Sequence, residues 1–526
     1  MTVSTPSTGS TGSATEQQTV SVDHVIVGAG FGGLCAAIKL DQDGETDFVV
    51  LERGSDVGGT WRDNTYPGAA CDVPSQLYSY SFAPNPDWSM SFSPQPEILA
   101  YIKKVATRSG VLDRCVFNTT MESAEWDDEA ERWVVRTSAA GRPATTYVAR
   151  TFIVGPGPLS EPKLPEIDGI DEFAGEIFHS ARWNHEVDLT GKRVAVIGTG
   201  ASAIQIIPEI QKVASHVDVY QRTAPWVVPR NEHHYSAFEK LALRHVPGLH
   251  ALARTAIYWG RELYVPAFTK NPKLAAPARA MAVRNIRKGI SDADLRAKVT
   301  PTFEIGCKRI LISNRYYPAL AADNVELVTD RISKVTGNAI VTADGTEREI
   351  DVLIVATGFY TTDIPVAHHI TGRTGRRMSE RFAETGTAAY KGSTVPEFPN
   401  LFFVIGPNTG LGHSSMIFII ESQVSYVRDA IRTMRINDFA TVEPREDAFT
   451  AWNADLQERM QTTVWSTGGC SSWYLDEHGR NTTLWPRTTY VFRGLLHRFD
   501  VAKYVVAGPN GPQIKSQNEP QRKVLA

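Results

Sequence analysis

Cysteine is scarce in this 526-residue chain: there are five, at positions 35, 71, 115, 307 and 470. They are odd in number and widely spaced. The spacing matches neither a metal site nor a small disulfide-stapled secreted domain, and it points to a reducing compartment. Any apolar run of about 18 residues is also missing, so no segment is expected to span a membrane. Charge of one sign is not in excess, at a net -4, which gives no reason to invoke nucleic acid or an anionic membrane. Residues 1–20 lack Lys, Arg and an apolar centre. That excludes a secretory signal and predicts a disordered tail rich in Ser, Thr and Gly. A cytoplasmic location is expected.

What is present is an ordinary globular composition, 42% hydrophobic and 21% charged, in a chain too long for one core. The apolar run His24-Val25-Ile26-Val27 reads as a buried parallel strand. It feeds Gly28-Ala29-Gly30-Phe31-Gly32-Gly33 and a helical run from Leu34 to Leu40. Such glycines allow a tight turn and bring backbone amides to a pyrophosphate. A second strand, Phe48 to Leu51, ends in Glu52, 19 residues beyond Gly33. An acid there accepts both hydroxyls of an unphosphorylated ribose. A loop follows, with Gly58-Gly59-Thr60-Trp61 and Tyr66-Pro67-Gly68-Ala69-Ala70-Cys71-Asp72. Asp72 fits a helix cap as well as it fits a site. A meander over 116–157 then closes on Thr151-Phe152-Ile153-Val154-Gly155.

The same programme repeats. Val194 to Ile197 enters Gly198-Thr199-Gly200-Ala201-Ser202-Ala203, and a strand Val217 to Tyr220 ends at Gln221-Arg222-Thr223. From Gly28 to Glu52 is 24 residues, and from Gly198 to Arg222 is also 24. The offset is kept and the charge reversed. A guanidinium suits a 2′-phosphate, so the second unit should hold NADP(H). A later meander, roughly Val325 to Glu349, closes on Asp351 to Phe359. The fold class is therefore α/β, with two Rossmann-like dinucleotide-binding units and a helical insertion in the second. The pattern expects a tail over 1–20, an FAD-binding domain over 21–157 and 365–526, an NADP-binding domain over 158–230 and 303–364, and the insertion over 231–302. That insertion reads as a solvated basic face or, alternatively, as a lid that draws in the anionic cofactor or touches a membrane surface. Lys308 and Arg309 are either surface cations or a pair pointing apart, one to a phosphate and one into a cleft. His413 reads as a packing residue, and Cys470 to Pro486 as a mobile cover.

Between the two glycine turns stands Phe173-x-Gly175-x-x-x-His179-x-x-x-Trp183. With Gly58-Gly59-x-Trp61, Tyr66-Pro67-Gly68 and Asp72, it resembles the two fingerprints of the type I Baeyer–Villiger monooxygenases, over roughly residues 22–500. Asn184 departs from the Pro or Asp usual there. The resemblance implies FAD, NADPH and dioxygen as cofactors and co-substrate, and ketones converted to esters or lactones through a C4a-peroxyflavin. It implies Arg309 as the catalytic cation and Asp72 as its carboxylate partner. For FAD it implies Gly28, Gly30, Phe31, Gly33, Glu52 and Arg53. With these go Gly59, Thr60, Trp61, Asp72, Tyr78, Met121 and Asn408. For NADP it implies Ala70, Asp72, Gly198, Thr199, Gly200, Ala201, Ser202, Arg222, Thr223 and Lys308, with Trp485 on a loop over the nicotinamide. His179 is either structural or catalytic. A related monooxygenase acting on amines or sulfides is the alternative, and a non-catalytic flavoprotein a more distant one. No metal is expected, and the chain is expected to be a monomer or weak homo-oligomer.

Overall fold

The computed structural model describes residues 18–509. Strand β1 (Gln18–Val27) begins inside the segment expected to be a disordered tail: Gln18, Thr19 and Val20 pair with Thr145, Thr146 and Tyr147. The rest of that segment, 1–17, lies outside the described residues. Through the glycine turn β1 enters α1 (Phe31–Gln42) and then β2 (Phe48–Leu51), with His24 opposite Phe48 and Val27 opposite Leu51. The short α2 (Thr60–Asp63), α3 (Gln95–Ser109) and β3 (Cys115–Val116) follow. Next, β4 (Thr119–Asp127), β5 (Arg132–Ala139) and β6 (Thr145–Val154) run antiparallel in sequence, and β6 returns to pair in parallel with β1. Val25, Ile26, Phe152 and Ile153 are wholly buried, as expected of strands covered on both faces.

The second sheet is parallel. It comprises β7 (Glu176–His179), β8 (Arg193–Ile197) and, after α4 (Ala203–Ile210), β9 (His216–Tyr220). β10 (Val227–Val228) leads to five helices: α5 (Ala237–His245), α6 (Leu249–Glu262), α7 (Val265–Thr269), α8 (Ala276–Gly289) and α9 (Ala293–Val299). β11 (Leu311–Ile312) then pairs with β10 and ties the far end of the insertion to its start. The expected meander begins later than its sequence suggests. β12 (Val325–Val328) is not part of it but the edge strand of the parallel sheet, Val325 facing Val217. Only β13 (Ile332–Val335), β14 (Ala339–Thr342) and β15 (Glu347–Glu349) form the antiparallel layer. β16 (Val352–Val355) closes the sheet between β8 and β7, in the order β12-β9-β8-β16-β7.

The chain then rejoins the first sheet. β17 (Ile370–Thr371) pairs with β4, and β18 (Leu401–Phe403) with Phe152 to Val154 of β6. The two glycine turns are built alike. A Cβ on Gly28 would lie 2.6 Å from the Gly155 carbonyl oxygen, and one on Gly198 2.4 Å from that of Ala356. In each unit the first glycine abuts the turn after the closing strand, and any side chain would strike backbone.

Most basic residues of the insertion are exposed as its composition suggests, Arg244, Arg279, Arg284, Arg287 and Lys288 among them, and α6 is the exception. On α6, Arg254 donates to the carbonyls of Gln76 and Leu77 and to Ser79 Oγ, Arg261 donates to the carbonyl of Asp72, and Glu262 is buried. Among the described residues no helix is long and apolar enough to cross a membrane.

Candidate active site

Asp72 and Arg309, 237 residues apart, meet where the two units face each other. Arg309 Nη2 donates to Oδ1 at 2.8 Å and to Oδ2 at 2.6 Å, and its Nε donates to Oδ2 at 3.0 Å. A planar guanidinium against a carboxylate fixes orientation as well as charge. Asp72 caps no helix here. Burial pushes its carboxyl up, and the Arg309 guanidinium more than reverses this, so it stays below the usual carboxylate range. The Asp72 charge in turn raises Arg309 above its ordinary value despite burial. The guanidinium therefore remains a cation at any working pH. Two contacts hold the Asp72 loop. Arg261 Nη2 reaches the Asp72 carbonyl at 3.0 Å. Gln205 of α4 donates to the Ala70 carbonyl at 3.0 Å and accepts from Tyr66 Oη at 3.0 Å. Neither Arg261 nor Gln205 carries a local sequence signal of such a role, because each acts across more than 130 residues.

Lys308 and Arg309 do point apart. The β10–β11 pairing brings Lys308 back beside the segment after β9, where Arg222 is exposed. Burial lowers the Lys308 ammonium below its ordinary value, and the nearby Arg222 cation lowers it further. Neither residue has a carboxylate partner among the described ion pairs. Two uncompensated cations close enough to repel form a site for an anion. Thr199 Oγ1 reaches the Thr223 carbonyl at 3.2 Å, holding that turn against the glycine loop, and Gly200 and Ala201 are exposed ahead of Ser202 and α4.

The first unit offers a matching cradle. α1 has no side-chain cap and no acid in its first turn, so its leading N–H groups are left for a ligand. Gly30 and Gly59 approach backbone to backbone, a Cβ on Gly59 falling 3.1 Å from Gly30 Cα. Glu52 is buried, accepting from Ala29 N at 2.8 Å and from Gly54 N at 2.7 Å, with Arg62 at 2.8 Å. Phe31, Trp61 and Tyr78 are brought together: Trp61 Nε1 donates to Tyr78 Oη at 3.0 Å, and Phe31 meets Tyr78 edge-on at 5.4 Å. Thr60 opens α2 beside them. The donor-rich helix end and this aromatic floor fit a dinucleotide carrying a flat ring system. Arg53 is spent otherwise, paired with Glu161 and donating to the Ser160 carbonyl. Met121 packs in a different core cluster, with Val49 and Leu51. Asn408 is buried and donates to the carbonyls of Asn481 and Leu484.

A family model described as flavin-binding monooxygenase-like matches residues 22–252. A Baeyer–Villiger monooxygenase of Streptomyces coelicolor is 49% identical over 500 residues, 95% of this chain and 95% of its own. The chain belongs to the Baeyer–Villiger monooxygenases. It is thus an NADPH-dependent flavoprotein enzyme. Among solved structures, an oxidized steroid monooxygenase bound to NADP superposes with a TM-score of 0.81 at 32% identity, covering 93% of this chain and 100% of that one. OTEMO in complex with FAD and NADP superposes at 0.82 with 28% identity, covering 92% and 99%.

In this Baeyer–Villiger monooxygenase the family fingerprint forms the edge of the second sheet. β7 pairs with β16, His179 opposite Val355. Gly175 has no positive φ and makes no special turn. Its lack of a side chain matters because a Cβ would sit 2.4 Å from the Asp351 carbonyl and 2.6 Å from the Phe173 ring. Trp183 packs edge-on against Phe178 at 5.0 Å. His179 is buried, and its Nδ1 accepts from Ala181 N at 3.1 Å, which places the ring proton on Nε2. Burial pushes it down to about 4, only partly opposed by the Gly358 backbone, so the ring is neutral near pH 7.

Three expectations need correction. Trp485 is not on an open cover: it is 2% exposed, stacked on Trp452 at 6.1 Å, edge-on to Phe492 at 5.1 Å, with Nε1 donating to the Thr488 carbonyl. The segment is a loop by path and core by burial, and it leaves no ring face for a nicotinamide in this conformation. The cysteine spacing points to a compartment where disulfides are rare, yet Cys307 and Cys470 are bonded, tying the residue before Lys308 to the start of the Trp485 segment. His413 is more than packing, since Nε2 lies 3.2 Å from the buried Glu262 carboxylate.

Proposed function

We propose that Arg309 is the catalytic cation of ketone oxygenation and that Asp72 is the residue that aims it. The supporting observation is the bidentate Asp72–Arg309 pair. FAD, reduced by NADPH, supplies the oxygen-transfer chemistry when bound, and a ketone leaves as an ester or lactone. Attack on a ketone carbonyl places negative charge on its oxygen, and a fixed, always protonated guanidinium stabilises that charge without reorganising. Asp72 keeps the guanidinium from swinging to solvent, and Arg261, through the Asp72 carbonyl, keeps the loop in place.

The glycine turn at Gly28, the N-terminus of α1, Gly59, Thr60 and the Phe31–Trp61–Tyr78 cluster would hold FAD, with Glu52 beside its ribose. Gly33, Asn408 and Met121 belong to the frame of that site, and Arg53 steadies the connector through Glu161. Gly198 to Ser202, Thr223, Ala70 and the Arg222–Lys308 pair would hold NADP, the two cations on its 2′-phosphate. Within the described residues the domain boundaries that follow are 18–157 with 365–509 for FAD, 158–230 with 303–364 for NADP, and 231–302 for the helices. We place the enzyme in the cytoplasm as a monomer or weak homo-oligomer. His179 serves structure, since a neutral buried imidazole already committed to Ala181 N has no proton to give at Nδ1.

The test is Arg309→Ala. NADPH oxidation should persist while ester formation from a cyclic ketone is lost. An unchanged ester yield would remove Arg309 from the mechanism.

A further inference from the structure

The Cys307–Cys470 bond joins the residue before Lys308 to a segment 163 residues further along the chain. On one side, Cys307 is wholly buried and its N–H donates to the Glu304 carbonyl at 3.1 Å. Lys308 and Arg309 follow directly, the first beside Arg222 and the second on Asp72. On the other side, the chain from Gly469 to Ser472 is neither helix nor strand. Gly469 and Ser471 are exposed there, and Cys470 between them is half-buried. The chain then returns to the core at Tyr474, which is 2% exposed. Burial pushes the Tyr474 phenol up to about 12, and the charges of Arg309 and Asp72 both reach it. The strap 469–474 thus runs from the cations of the cofactor site to the Asp72–Arg309 pair. Its ends are held by Glu304 N on the Gly468 carbonyl at 3.0 Å and by Thr361 Oγ1 on that of Trp473 at 3.3 Å. In the exposed stretch between them the tie is covalent.

We propose that Cys307–Cys470 is a thiol–disulfide exchange site opened by a dithiol reductant, and that its state sets how firmly NADPH is held. Disulfides in a cytoplasm, where we place the enzyme, are mostly catalytic or redox-sensing. The two sulfurs here also differ in access, which decides where a thiolate attacks. The thiolate strikes Sγ of the half-buried Cys470. The S–S bond breaks, and its electron pair leaves with Sγ of Cys307, which takes a proton. The second thiol of the reductant then displaces Cys470 from the mixed disulfide as a thiol. Two electrons and two protons pass to the protein, and the dithiol departs as a disulfide. Glutathione disulfide reverses the sequence. Cutting the bond frees the strap at its exposed middle and removes the covalent anchor one residue before Lys308. Arg309 keeps its bidentate hold on Asp72, so the grip on the cofactor loosens and the oxygenation step does not. The proposal rests on the assignment of Lys308 to NADP.

The experiment is peptide mapping of the flavin-loaded full-length protein after alkylation, without and with dithiothreitol. NADP+ binding is read from the flavin absorbance, and KM and kcat for NADPH are measured on each form. Cys307 and Cys470 should resist alkylation until the reductant is added. Reduction should raise the NADP+ Kd and the KM for NADPH about fivefold or more, with kcat at saturating NADPH within about twofold. Glutathione disulfide should restore both. Cys470→Ser should show the raised values with or without reductant; if it loses its flavin, the reduced and alkylated parent replaces it. Alkylation of both cysteines without reductant, a bond that withstands dithiothreitol in the native protein, or unchanged NADP+ binding on reduction would each overturn the proposal. Lys308→Ala separates it from the cofactor assignment. If that variant binds NADP+ normally, the assignment falls and this proposal with it; if it binds weakly while reduction has no effect, the exchange proposal alone falls.

Discussion

Removing the Arg222 guanidinium should erode the preference for NADPH over NADH by a predictable amount. Arg222 and Lys308 stand close enough that the first lowers the pKa of the second, and neither is neutralised by an acid. A 2′-phosphate between them relieves that repulsion and gains charge-assisted hydrogen bonds, each contributing about 1.5–3 kcal/mol when well shielded. Arg222 is exposed, so solvent screening reduces its share to about 1–2 kcal/mol. In Arg222→Ala the ratio of kcat/KM for NADPH to that for NADH should therefore fall about 5- to 30-fold, with Lys308 preserving part of the preference. The assay is initial-rate NAD(P)H oxidation with each cofactor under saturating ketone. NADH efficiency should stay nearly constant, because NADH presents no phosphate to lose. A ratio changed by less than twofold, or a parallel fall for both cofactors, would refute the phosphate assignment.

Two other perturbations probe the fingerprint. His179 has a folded pKa of about 4 against 6.5 ordinarily, so unfolded chains take up its proton first. The stability this gives is complete above pH 6.5 and is lost as pH falls toward 4, up to on the order of 3 kcal/mol. His179→Asn keeps an acceptor for Ala181 N and cannot titrate, so its unfolding midpoint should drop less between pH 7 and 4.5 than the parent's; parallel curves would show that His179 does not set this dependence. Gly175→Ala drives a methyl into the Asp351 carbonyl and the Phe173 ring. Overpacking there should cost about 1–3 kcal/mol and lower Tm by a few degrees with cofactor preference unchanged, and an unaltered Tm would mean that β7 yields freely.

Much of this architecture was legible because it is written locally. A buried strand, a glycine turn, a helix and an acid or an arginine follow one another within 30 residues, and Gly28 to Glu52 and Gly198 to Arg222 have the same spacing. What stayed hidden depends on closures across long stretches of chain. Asp72 fits a helix cap equally well until Arg309 arrives from 237 residues away. Lys308 and Arg309 are adjacent cations with no stated directions until β10 and β11 pair. Val325 to Val328 alternates like its meander neighbours, and only its register with β9 separates it from them. Trp485 was misread from the polar and glycine residues around it, because burial by Trp452 and Phe492 leaves no trace in those neighbours. The insertion was legible in most of its length, but composition counts charges and does not say which way they face, and on α6 they face inward.

The return of the chain at β18 has a consequence for how the protein is made. The last three residues of β6, Phe152 to Val154, pair with β1 on one side and on the other with Leu401 to Phe403. During synthesis, that edge stays open until residue 403 leaves the ribosome, while the whole second sheet, complete at Val355, has already emerged. The inner unit can therefore mature first, with the outer one waiting as a half-built sheet exposing an unpaired strand edge. Slowing translation between 355 and 403 would lengthen that exposure, and chaperone demand should peak there rather than at the start of the chain.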